Sequence, residues 1–92
     1  MAERDVAKHL KRVVASLGGE VRKVRWEGRA HAPDYLVLLY RHGRAEWIET
    51  KAPGETARAG QQREHDRMRR AGCVVHVLDT EERIEEWAEQ FR

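Results

Sequence analysis

The chain has 92 residues and a formal charge of +2, with 40% hydrophobic and 37% charged residues; this allows one small folded domain, residues 1–92, with a single core. A nearly balanced charge argues against a uniformly basic nucleic-acid binder, and no apolar run approaches the roughly 20 residues that a membrane span needs. Cys73 is the only cysteine, which excludes an internal disulfide and fits a reducing compartment, and with no signal peptide opening the chain a cytoplasmic location is expected.

In chain order, "ERDVAKHLKRVVASLGG" sets Val6, Leu10, Val13, Val14 and Leu17 at helical spacing and stops at Gly18-Gly19. Extending that stripe back one turn reaches Glu3. Either an acid faces inward there, or a first-turn acid favours the helix dipole, and this position alone leaves both readings open. "EVRKVRW" alternates loosely and predicts a short strand, followed by a loop in the turn-rich "EGRAHAP". "DYLVLLY" and "AEWIETK" are two β-rich runs separated by "RHGR", the pattern of a hairpin. After the loop "APGETARAG" comes a polar helix, "QQREHDRMRRAG", ended by Gly72, with Gln61, His65 and Met68 on one stripe. "CVVHVL" is a continuous apolar run, which predicts a central strand covered on both faces. Asp79 then caps a last helix, with Glu82 three residues on and Ile84, Trp87, Ala88 and Phe91 facing inward. The order is α-β-β-β-α-β-α, one mixed sheet with helices packed on it.

The hairpin carries the chemistry. Glu49 and Lys51 lie two apart in a strand, so they share a face of the sheet, and buried charges are costly unless paired or bound to a metal. A two-residue loop at His42-Gly43 would set Asp34 opposite Lys51 and Leu36 opposite Glu49, gathering Asp34, Glu49 and Lys51 at one end of one face. Two carboxylates without a cation repel and push one pKa up. A hard divalent cation such as Mg2+ removes the conflict, and a lysine beside it can orient an attacking water or offset charge on a phosphate. These are the parts of metal-assisted phosphodiester hydrolysis. A lone Glu-x-Lys is usually a solvated ion-pair face, and a lone Pro-Asp often just starts a strand; their joint placement is what points to chemistry.

"APDYLVLL", "WIETKAPGE" and "QQREHDRMRRAGCVVHVLD" together resemble the virus-type replication-repair nuclease domain, VRR-NUC, of the PD-(D/E)xK superfamily, in its stand-alone phage or bacterial form. The resemblance spans nearly the whole chain, from Glu3 to the last strand. It implies a restriction-endonuclease-like α-β-β-β-α-β core in the α/β (α+β) class, with an extra C-terminal helix, and Mg2+- or Mn2+-dependent cleavage of DNA. Carried over, Asp34 and Glu49 are expected to be metal ligands with the Thr50 carbonyl, and Lys51 the water-orienting lysine. Glu3 is expected to be the helical acid and a further possible ligand, and Gln61 the active-site glutamine, with Gln62 facing outward. The family often has Gly where Ala32 stands and Leu where Thr50 stands; neither departure removes a charged ligand.

Lys23, Arg25, Arg29, Arg58 and Arg63 are the expected DNA-backbone contacts, joined by Arg67, Arg69 and Arg70 around the second helix; phosphate contacts position a duplex without reading sequence. The acidic last helix should face away from DNA. His65 either approaches the site or packs in the core. Trp26 could stack on bases, and Tyr35 is expected to be buried. The expected activity is a structure-specific endonuclease acting on branched DNA such as a four-way (Holliday) junction, in a bacterial cell or phage-infected host. Because one chain has one site, a homodimer is expected, with Trp26, Trp47, Trp87 and Phe91 as interface candidates. The alternatives are a nicking or flap nuclease subunit of a larger complex and a catalytically silent DNA-binding module.

Overall fold

The computed structural model describes residues 1–92. Helix α1, Glu3–Ser16, forms where the apolar stripe predicts it, with Val6, Leu10, Val13 and Val14 buried along one face. At Gly18 the backbone turns left-handed (φ +75°), and a Cβ on Gly19 would lie 2.6 Å from the Leu38 carbonyl oxygen. Only a glycine lets the chain pass that close to the sheet it is about to join.

Strand β1, Glu20–Lys23, pairs antiparallel with β2, Tyr35–Leu39, which pairs antiparallel with β3, Arg44–Thr50. Helix α2, Ala59–Arg70, crosses over to β4, Val75–Leu78, which runs parallel to β3. Helix α3, Glu81–Glu89, closes the fold. The sheet order is β1-β2-β3-β4.

Three expectations need correction. The hairpin turn is not His42-Gly43 alone: Tyr40–His42 form one turn of 3-10 helix, and Gly43 closes it in the left-handed conformation. Leu39 therefore faces Arg44, and the register is shifted by two residues, with Leu36 opposite Trp47 and Tyr35 opposite Ile48. Because side chains alternate with a period of two, a two-residue shift leaves every side chain on its expected face. Second, β4 is an edge strand, not a central one; its apolar run reflects cover on its faces, not pairing on both edges. Third, α3 is capped by Thr80, whose hydroxyl accepts from the Arg83 N–H at 3.1 Å, not by Asp79.

The two faces of the sheet differ. On one, Tyr35, Val37, Leu39, Ile48 and Leu78 pack with the apolar faces of α1 and α3 into one core. Trp87 and Phe91 lie inside it, edge to face at 5.3 Å, so they are not free for a partner chain. His9 on α1 reaches Glu85 on α3 at 2.9 Å, and Glu46, fully buried, accepts from Trp87 Nε1 at 2.9 Å and pairs with His76 and Arg44. α3 is thus held on the face opposite Glu49 and Lys51.

Candidate active site

Side-chain parity on β3 puts Glu49 and Lys51 on the second face of the sheet. Continuing the observed β2–β3 register by one step sets Asp34 directly opposite Glu49, closer than the diagonal relation expected from sequence. Pro33, which precedes Asp34, is fully buried, and its carbonyl accepts from Trp26 Nε1 at 2.9 Å. That bond fixes the entry into β2. The Trp26 ring rests on Trp47, with centroids 5.0 Å apart, so one of its faces is already used by protein.

Glu49 is 4% exposed and Lys51 8%. Burial, then the nearby Asp34 carboxylate, pushes the Glu49 pKa up from 4.5 to about 7. Lys51 and the Asp34 backbone N–H act in the opposite direction, while Glu3 adds to the rise. Glu3 is therefore near enough for its charge to be felt at Glu49, although it is itself exposed in the first turn of α1. Glu49 Oε1 is buried with no hydrogen-bond partner. A buried carboxylate oxygen without a donor is costly, and a hard cation is the partner that satisfies it while relieving the repulsion from Asp34.

No three His, Cys, Asp or Glu side chains form a cluster able to hold a metal ion by themselves. The donor set that fits a divalent cation is thus the Asp34–Glu49 carboxylate pair supplemented by backbone oxygen and water, a set that suits Mg2+. Glu3 does not complete a three-carboxylate cage.

The segment after Lys51 is held in two places. The Lys51 N–H donates to the Leu78 carbonyl at 3.1 Å, and the Gly54 N–H donates to Asp79 Oδ2 at 2.9 Å. Asp79, expected as a helix cap, instead anchors the Pro53-Gly54 turn. His65 is buried behind the site; burial first, then Arg69, lowers its pKa, and Lys51 contributes in the same direction. Both readings of His65 therefore apply, since it is packed inside and close enough to sense Lys51. Gln61 is half-buried, and its Oε1 accepts from the Arg58 N–H at 3.0 Å, so its amide serves the start of α2. Gln62 is exposed, with its amide donating to the Ala57 carbonyl at 3.0 Å.

Basic residues line the approaches. Lys23, Arg25 and Arg29 share with Asp34 and His31 a hollow of about 500 Å3. Arg29, Arg63 and Arg67 surround Glu64 and His31 in a second hollow of about 290 Å3, where Arg29 pairs with Glu64 at 3.4 Å. Arg58 is exposed at the start of α2. Nothing in the sequence marked Glu64 as the acid that arrays these arginines, nor His31 as a residue that, with Arg29, lines both hollows. Its only sequence signal is its place three residues before Asp34.

A helix, three antiparallel strands, a crossover helix and a parallel strand, with acids and a lysine at the facing ends of β2 and β3, are the plan of restriction-endonuclease-like nucleases. No family model matches the chain. A solved structure described as "VRR_NUC domain" matches it with a TM-score of 0.88 and 36% identity, covering 98% of this chain and 97% of that one. A protein of Acyrthosiphon pisum secondary endosymbiont phage 1, "Putative nuclease p44", is 40% identical over 80 residues, 87% of this chain and 85% of its own length. The chain belongs to the VRR_NUC family of nucleases.

Proposed function

We propose that residues 1–92 act as one domain, a divalent-metal-dependent, structure-specific DNA endonuclease. The observation that carries this reading is Glu49: buried, with an orphaned oxygen, opposite Asp34 and sharing a face with Lys51. Such an arrangement is unfavourable without a cation and favourable with one. No core contact calls for Glu49, which argues against a silent binding module.

In this reading Asp34, Glu49 and the Thr50 carbonyl hold Mg2+ or Mn2+. The cation would offset charge developing on the scissile phosphate and make a bound water more acidic. Lys51, largely shielded from solvent, orients the attacking water and places a fixed positive charge beside the phosphate, where exclusion of water strengthens its effect. Glu3 keeps a negative charge at the same end of the sheet, and Gln61 holds the first turn of α2 beside the strand path. Lys23, Arg25, Arg29, Arg58 and Arg63 hold the DNA backbone, which positions the duplex without selecting sequence.

The test is a Mg2+ and Mn2+ titration of the purified protein against plasmid, flap and four-way junction DNA. Cleavage is expected with either metal, and DNA binding without cutting in Ca2+. Asp34→Ala and Glu49→Ala should each lower cleavage by at least about a hundredfold, beyond the scale of changes outside the ligand set, while the far-UV circular dichroism stays native. Undiminished cleavage by either folded variant would remove the assignment.

For substrate, the reading is branched DNA, with the four-way junction first. A junction needs paired cuts, one chain offers one candidate site, and a two-fold homodimer supplies two in matching orientation. Since Trp87 and Phe91 belong to the core, the apolar surface left for such a contact includes half-buried Leu36, Leu38 and Trp47. Light scattering at micromolar concentration should give twice the chain mass for the protein alone, and two chains per junction when junction DNA is bound. A strict monomer in both cases would favour the nicking or flap activity, exercised as a subunit of a larger complex.

A further inference from the structure

His31 alone among the non-glycine residues has a left-handed backbone, with φ +71°. That conformation is unfavourable for a residue with a side chain, and such outliers persist where the surrounding structure enforces them, often at functional sites. The ring of this exposed residue rests against α2: a Cβ added to Gly60 would come within 2.9 Å of its Cδ2 and Nε2, so a side chain at position 60 would push the ring from its place.

The ring occupies a defined place relative to the site. It lines the hollow that contains Asp34, Lys23 and Arg25, and also the hollow formed with Arg63 and Arg67. His31, with Arg29, thus stands between the carboxylate end of the sheet and the arginine cluster on α2. The acid nearest that cluster, Glu64, already pairs with Arg29 at 3.4 Å and Arg67 at 3.8 Å, and cations predominate around the ring. An imidazole keeps at least one N–H donor in either protonation state. The chemistry that suits an exposed N–H donor among arginines is an anionic phosphate oxygen.

We propose that His31 donates a hydrogen bond to a DNA backbone phosphate next to the scissile one, its ring held in place by the absence of a side chain at Gly60. The identity of the scissile phosphate rests on the nuclease reading above. His31 is then a substrate-contacting residue that sets which phosphate reaches Asp34 and Glu49.

The experiment is a double-mutant cycle on DNA binding in Ca2+, read by fluorescence anisotropy of labelled junction and duplex, with cleavage in Mg2+ read alongside. His31→Gly removes the donor and suits the left-handed backbone, so its thermal midpoint should not fall. Gly60→Ala favours the helix but displaces the ring. Each should weaken DNA binding about tenfold, the scale of one hydrogen bond to a charged group. The double variant should bind no more weakly than His31→Gly alone, because both changes remove the same contact. His31→Asn, which tolerates the left-handed backbone and keeps an amide donor, should recover part of the affinity.

Undiminished binding by His31→Gly or Gly60→Ala, or losses that simply add in the double variant, would overturn the proposal. A wild-type protein that binds DNA but cuts none with any metal would sink the nuclease reading, and the binding cycle would still decide the His31 contact. A wild type that cuts, with His31→Gly cutting and binding equally well, would remove the contact alone.

Discussion

Under the proposed function, Glu49 sets a functional requirement against stability at a single residue. Its carboxyl has a folded pKa of about 7 against 4.5 when unperturbed. Between those two values the folded chain keeps a proton that the unfolded chain has lost. Metal-free stability should therefore fall as pH rises from about 4.5 to 7, and the penalty, at most roughly 3 kcal/mol, is fully present above 7. Glu49→Gln removes the ionisation and keeps the shape. In EDTA the variant should be more stable than wild type by about 1–3 kcal/mol at pH 8 and close to it at pH 4.5, while cutting no DNA. Urea denaturation at the two pH values checks this; an equal gain at both would assign the effect to packing instead of charge. A stabilised but inactive variant is the usual sign that a position was kept for chemistry.

At the level of elements, most of what the fold uses was legible. The α1 stripe ends at Gly18-Gly19 because the periodicity and the glycines agree, and the inward face of α3 holds Ile84, Trp87, Ala88 and Phe91, all buried. The hairpin register was not legible, because "RHGR" does not disclose that Tyr40–His42 coil into a 3-10 turn. Asp34, Glu49 and Lys51 still fall on one face because the shift is even. The edge position of β4 was hidden for another reason: hydrophobicity records what covers a strand's faces and says nothing about its hydrogen-bonding edges. The roles of Glu46, Glu64 and His31 were illegible as well, since each depends on partners from distant elements. Glu46 tests this directly. Trp87→Phe keeps the ring but removes the N–H that serves the buried carboxylate. It should cost about 1–3 kcal/mol, seen as a thermal midpoint lower by roughly 5–15 °C in a domain of this size. Cleavage per folded molecule should be unchanged, because Trp87 lies on the opposite face of the sheet from Glu49. Loss of cleavage at full stability would contradict that separation.

Across the whole molecule, a net charge of +2 conceals a division of labour: acids gather on α3, behind the core, and arginines gather around α2, beside the site. Some of that charge is structural, as with Arg69, whose guanidinium donates to the Val75 carbonyl at 2.7 Å and so serves the fold before any DNA contact. The pleat that separates the two faces of the sheet also has a consequence for inheritance. Under the proposed function, neighbouring residues along β2 and β3 answer to different selective pressures: Tyr35, Val37, Leu39 and Ile48 keep the protein folded, whereas Asp34, Glu49 and Lys51 lie where the core does not need them. A saturation scan scored separately for cellular abundance and for DNA cleavage should therefore show two interleaved signals with a period of two residues. Substitutions at the first set should deplete the protein itself, and those at the second should leave abundant, inert protein. A lineage could then silence cleavage by altering alternate positions alone, without renegotiating the core.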